Sequence, residues 1–228
     1  MPKTKIIPCT KEEMDKLIEA SIGNDYYYML FNVAKYSGRR LGELWGNQKK
    51  EIVEKIKVGK GTAIGEDGKE IPIIKFKKKY KRVPNAFDGG IKVKDIDFDK
   101  CIMKVWVLKR REVMQDESVL PREVINIIRH YVVRNKLQPE DYLFRGKNHT
   151  YRAIQFAIIS FGKKAGINHK VSFHNFRHYL VTELLRKGMK KEEIQKITGH
   201  KKMQSLEPYD HLIASDFKDK IQDNLKGI

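Results

Sequence analysis

Three groups of polar side chains carry the chemistry this sequence offers. In Ser172-Phe-His174-Asn-Phe-Arg177-His178, an imidazole and a guanidinium stand three residues apart. They share one helical face, with His178 one turn from His174. Arginine presents a planar fork of donors, histidine a titratable one, and a helix N-terminus a partial positive charge, so the group suits a phosphate. A solvated polar face reads the same way. Ile197-Thr198-Gly199-His200 puts a histidine just past a glycine at a helix end, and Tyr209 follows nine residues later, after Pro208. A lone tyrosine is more often packing than nucleophile. Tyr36-Ser37-Gly38-Arg39-Arg40-Leu41-Gly42-Glu43-Leu44 sets two arginines after a glycine, with Glu43 one turn on. That pattern fits either a buried arginine held by a carboxylate or an exposed basic turn.

These groups need a scaffold, and the sequence is long enough to build one. Of 228 residues, 40% are apolar, enough for a sizeable core. Thr10 and Glu13 read as a capping box that opens a helix over 11–21, with Ser172 as a cap for a later one. Further helices are predicted over 26–36, near Arg40, and over 122–134, 151–165, 173–186, 191–197 and 213–225. Pro121 stands at a helix start, and Gly166 and Gly188 where C-caps belong. Glycines at 59, 61, 65, 68, 89 and 90 punctuate 47–90 around the basic run 75–82, which reads as loops with short strands. Alternation at Ile91 and Val93, then Ile96 and Phe98, and the strand formers of 102–108 predict a hairpin, with a third strand at 118–120. The expected architecture is one α+β domain, mostly helical, with a small antiparallel sheet.

Bulk properties narrow the partners. Lys plus Arg number 47 against 29 Asp plus Glu, a net charge of +18. A field this positive suits a polyanion, although a lysine-rich solvated surface has the same composition. No apolar run approaches the about 18 residues of a membrane-spanning helix. The N-terminus lacks the apolar segment of a signal peptide. Cys9 and Cys101 match no metal spacing and form no disulfide framework, which favours a reducing, intracellular setting.

Taken in series, Gly-x-Arg-x-x-Glu-Leu, His-x-x-Arg-His, and Gly-His with a tyrosine nine residues on resemble the tyrosine recombinases of the phage-integrase type. The resemblance runs from about residue 7 to beyond Tyr209 and implies the catalytic domain of an enzyme that cuts and rejoins DNA. It implies that Tyr209 attacks a scissile phosphate to give a 3′-phosphotyrosine and a free 5′-hydroxyl, without ATP, metal or other cofactor. Arg40 and Arg177 match the family's two phosphate-clamping arginines. His200 matches a further donor, and His174 the position that helps deprotonate the tyrosine. The leaving 5′-oxygen needs an acid, a lysine on a β-hairpin in the family. Here Trp106-Val-Leu-Lys109 points to Lys109, with Lys104 and Lys81 as alternatives. Arg39 is the alternative to Arg40. Glu43 is expected to orient an Arg or Lys, and His178 to be structural or to support the site.

Two departures accompany the resemblance. The segment 47–90 is longer than the family places before its hairpin, and the sequence begins almost where the family's catalytic domain begins, so an N-terminal DNA-clamping domain is not expected within it. By resemblance the partners are double-stranded DNA and further copies of the chain, four on DNA, with the 213–225 stripe docking a neighbour. A type IB topoisomerase and a DNA-binding protein without catalysis are the rival readings.

Overall fold

In the computed structural model, residues 8–46, 50–64, 70–82, 89–108, 113–200 and 203–209 are described. The chain divides into two compact units, Met1–Gly46 with Gly89–Ile228, and Asn47–Asp88.

The first unit is built around a helix that is apolar on nearly every side. Helices α1 (Lys11–Glu19) and α2 (Asp25–Ser37) open the chain. The Thr10 hydroxyl accepts from the Glu13 N–H at 3.1 Å, and the Glu13 carboxylate accepts from the Thr10 N–H at 2.9 Å, closing the expected capping box. Asn24 caps α2 in the same manner, through Tyr27 N–H. Met29, Leu30, Phe31, Val33 and Ala34 are wholly buried. A helix buried all round needs neighbours on every face. These include α1, α4 (Arg122–Arg134) and α6 (His174–Arg186). Helix α3 (Leu41–Trp45) is a short continuation of α2 after a break. α5 (Tyr151–Lys164), capped by Thr150, and α7 (Lys191–Thr198) complete the set. The helix starts at 122, 151 and 191 match the sequence reading. Ser172 does not cap α6 directly: its hydroxyl and its N–H both donate to the Asn175 side chain, at 3.0 and 2.8 Å.

A small antiparallel sheet lies in the same unit, in the order β3 (Ile96–Asp97), β4 (Ile102–Leu108), β5 (Val113–Val119). β5 begins five residues before the expected third strand. Its centre, Gln115-Asp116-Glu117, has no apolar alternation to reveal it; it is held by its ladder to β4, with Val105 opposite Asp116 and Met103 opposite Ser118. Residues 91–93 do not pair as a strand. Lys92 makes one isolated bridge to Tyr142, and Val93–Asp95 is a single 3-10 turn.

The second unit differs from the expected loops with short strands in the length of its strands. It holds two long antiparallel strands, β1 (Lys50–Ile64) and β2 (Glu70–Arg82). Register shifts at Ile52/Glu54 and Lys57/Gly59 break the period of two, so alternation fails as a sequence signal there. The predicted helix at 213–225 and residue Lys109 lie outside the described residues.

Candidate active site

The site grows from three chain breaks. At the first, Gly38 ends α2 in the left-handed conformation (φ +59°), with its N–H donating to Ala34 O. A Cβ at Gly38 would sit 2.8 Å from Leu180 Cδ2, so both backbone and space require glycine. The chain leaves Gly38 through two arginines that turn opposite ways. Arg39 is 1% exposed and donates to β5: Nε to Ser118 Oγ at 2.8 Å, Nη1 to Asp116 Oδ2 at 2.7 Å, and Nη2 to Glu117 O at 2.8 Å. Arg40 begins α3, with its side chain 39% exposed, and Nη1 donates to Glu43 Oε1 at 2.8 Å. The other Glu43 oxygen accepts from the Arg40 N–H at 2.9 Å. The choice that sequence left open is thus separated by geometry: Arg39 is committed inside the protein, while Arg40 reaches an accessible face.

The second break is the start of α6. It carries Arg177, 97% buried. Nη1 donates to Gly38 O at 3.0 Å and to Thr198 O at 2.6 Å, and Nε donates to His200 Nε2 at 3.2 Å. Nη2 is buried and has no hydrogen-bond partner among the described residues. A cation with a buried, unsatisfied donor is a strong incentive for an anion. Burial, with Arg40 next, lowers Arg177 to about 10, so it stays charged at neutral pH.

The third break is Gly199, the left-handed C-cap of α7 (φ +67°), which turns the chain into His200. The Thr198 hydroxyl donates to Ile194 O at 2.6 Å, so its oxygen accepts the His200 Nδ1–H, also at 2.6 Å. Nε2 then accepts from Arg177. Both ring nitrogens are therefore those of a neutral imidazole. In agreement, burial and then Arg177 and Arg40 push His200 down to about 3.

Tyr209 lies in a 3-10 turn, Glu207–Tyr209. It is 2% exposed and packs in a small cluster with Val181, Ile194 and Leu206. Its hydroxyl meets His178 Nδ1 at 2.5 Å. Burial raises the phenol to about 12, and burial, with His174 and Arg177 next, lowers His178 to about 4. The proton therefore resides on the phenol oxygen, which donates to His178. The ring of His174 is exposed and lies 6.1 Å from that of His178. Among the described residues no hydrogen bond joins His174 to Tyr209. The sequence reading gave His174 as the residue that helps deprotonate the tyrosine and His178 as structural or supporting; it is His178 that meets the phenol here.

A metal-capable group lies elsewhere, on α1 and the loop before α6. Ligand atoms of Cys9, Glu13 and His169 fall within 4.8 Å of one another. Glu13 and His169 already pair at 3.2 Å, and burial, with Glu13 next, pushes the Cys9 thiol up to about 11, away from the thiolate a metal needs.

Comparison with known proteins assigns the family and the fold. The family model described as the phage integrase family matches residues 88–215, more than half of the sequence. The chain belongs to the phage integrase family. Among curated relatives, tyrosine recombinase XerA of Pyrococcus furiosus is 27% identical over 140 residues, 58% of this chain and 47% of that protein. XerA of Saccharolobus solfataricus is 31% identical over 134 residues, 57% and 41% respectively. The match thus spans about half the length of these relatives or less. Among solved structures, that of XerA recombinase superposes with a TM-score of 0.67 at 23% identity, over 98% of this chain and 66% of that one. XerH recombinase bound to a palindromic difH substrate, in a post-cleavage complex, gives 0.63 at 14%, over 96% and 53%. These likenesses carry the fold: a helical catalytic domain with a small antiparallel sheet. Arg40 and Glu43 precede the family-matched range, so their place in the site rests on the geometry above.

Proposed function

We propose that this protein is a site-specific DNA recombinase that cleaves and rejoins strands through Tyr209. The observation that carries the reading is the unsatisfied, buried Arg177 Nη2, in a pocket that brings together Arg40, Arg177, His200 and a hydrogen-bonded tyrosine hydroxyl. Two arginines and a phenol stand with one carboxylate, Glu43, which is already held by Arg40; the buried Arg177 donor is left for a phosphodiester oxygen.

The steps follow from these groups. Arg40 and Arg177 clamp the nonbridging oxygens, where charge builds in the transition state. Tyr209 Oη attacks phosphorus, and its proton passes to His178 Nδ1. A phosphate entering the pocket brings negative charge that raises the imidazoles from their depressed values, making His178 a better acceptor at the moment it is needed. The 5′-oxygen departs with a proton from Lys109, leaving a 3′-phosphotyrosine and a free 5′-hydroxyl. Attack by a 5′-hydroxyl reverses both transfers and reseals the strand, with the bond energy held in the phosphotyrosine. His174, the family-matched position, flanks the phosphate from the exposed side. No step uses a metal. Glu43 orients Arg40 through its carboxylate.

The partner in this reading is double-stranded DNA, with several copies of the chain assembled on it inside the cell. Among the described residues no helix is long and apolar enough to cross a membrane. The test is covalent capture. A nicked duplex, selected from a random-sequence pool by wild-type protein, loses the fragment beyond the cut and traps the adduct. Wild type is expected to form the adduct and Tyr209→Phe none. Adducts that relax supercoils but never exchange strands between two duplexes would favour the topoisomerase reading, and the absence of any adduct would leave a DNA-binding protein.

A further inference from the structure

We propose that Arg39 is a positioning residue of the cleavage reaction, locking the β4–β5 hairpin onto the two turns that present Arg40 and His200. The inference rests on the reading of Tyr209 as nucleophile and Lys109 as acid.

Arg39 is not a phosphate ligand. Each of its three nitrogens is already engaged with β5, at Ser118 Oγ, Asp116 Oδ2 and Glu117 O, and the residue is 1% exposed. A lysine could make one of these contacts but not span three acceptors in one plane. The same guanidinium underlies the third break of the site. A Cβ at Gly199 would meet Arg39 Nη1 at 3.1 Å and Asp116 Oδ2 at 3.7 Å. The Gly199–His200 turn thus rests on the Arg39–Asp116 pair. On the backbone side, Arg39 sits between Gly38, whose carbonyl accepts from Arg177, and Arg40, which pairs with Glu43. One buried residue therefore joins three elements: the arginine turn it belongs to, and the histidine turn and β5 that its side chain meets.

What β5 adds is the hairpin. In sequence, Lys109 directly follows Leu108, the end of β4, and β5 returns at Val113. β3 pairs only with Ile102 and Met103, so beyond them the ribbon is two-stranded; such a ribbon is weakly stable alone, and its placement depends on what grips it. Arg39 grips three consecutive residues of β5, Asp116, Glu117 and Ser118. This holds β4 and β5, the strands that flank Lys109 in sequence, against the turns that present Arg40 and His200.

The reaction offers a readout that separates positioning of the acid from general damage. In a duplex whose 5′-bridging oxygen is replaced by sulfur, the leaving group departs as a thiolate. A thiol's ordinary value is about 8.5, so that departure needs no proton. The oxygen substrate must receive one. Arg39→Met keeps an apolar side chain of similar length in the buried site, and the Asp116 carboxylate it leaves behind is half-exposed and open to water. Asp116→Ala removes the partner from its half-exposed side. Single-turnover adduct formation on the captured sequence is measured with both substrates. An ångström-scale misplacement costs on the order of 100-fold, and a loss of that size is expected for Arg39→Met on the oxygen substrate. Asp116→Ala is expected to show a smaller loss on the same substrate. Both variants are expected to recover nearly wild-type rates on the sulfur substrate, as Lys109→Ala should. Equal losses on both substrates, or no loss on either, overturn the proposal. Wild-type protein inert on both overturns the recombinase reading itself, and this inference with it.

Discussion

His178 and Tyr209, 31 residues apart in the chain, meet through a 2.5 Å hydrogen bond between imidazole Nδ1 and phenol oxygen. The proposed nucleophile is therefore buried and already aimed at a proton acceptor, and that acceptor is one helical turn beyond the histidine the family pattern singles out. His178→Ala is expected to lower single-turnover adduct formation by about 100-fold or more, the lower range for a lost general base. His174→Ala is expected to fall less on the same assay. A larger loss at His174 would return the proton to that residue.

Arg177 satisfies two backbone carbonyls, one imidazole and, in the proposed complex, one phosphate oxygen. Lysine is a point charge and cannot reproduce that fork. Arg177→Lys is expected to form adduct about 100-fold more slowly or worse, the scale for loss of one transition-state donor. Filter binding of the same duplex should weaken far less, because the remaining lysines and arginines still hold the backbone. Equal losses in binding and cleavage would place Arg177 in affinity instead of chemistry.

Gly38 is expected to be the most sensitive glycine of the site. Alanine there must adopt a left-handed conformation, at about 1–2 kcal/mol, and displace Leu180 Cδ2 from 2.8 Å. For a chain of this length, that predicts a melting temperature lower by a few degrees, at about 2–4 °C per kcal/mol. Because the Gly38 carbonyl holds Arg177, adduct formation should fall as well. A variant that melts like wild type would refute the strain argument.

Stability should fall on mild acidification. His178 and His200 titrate near 4 and 3 in the folded chain, below the about 6.5 of a free imidazole. As pH falls below 6.5, the unfolded chain takes up protons that the folded chain refuses. The stability these groups contribute is therefore complete above 6.5 and is lost progressively toward the folded values. Thermal melts at pH 7 and pH 5 should show this drop in wild type, and a clearly smaller one in His178→Gln/His200→Gln. The same drop in both proteins would place its origin elsewhere.

Much of this protein is local, and the sequence by itself determined that part. The Thr10–Glu13 box, the helix starts at 122, 151 and 191, and the glycines that end α2 and α7 follow from hydrogen-bonding and backbone rules acting over four residues. The order and spacing of Arg40, His174, Arg177, His200 and Tyr209 pointed to the family for the same reason: each group of residues sits on one local element. Tertiary structure decided what depends on distant partners. Arg39 and Arg40 are neighbours of the same type, and only the placement of β5 sends one inward and leaves the other accessible. His174 and His178 share a helical face, and only the return of the chain at 207–209 selects His178 as the residue that meets Tyr209. The length and pairing of the strands of 50–82, read from sequence only as short strands among loops, were not legible because register shifts erase the alternation by which strands are recognised, while the backbone ladder that holds them does not depend on it.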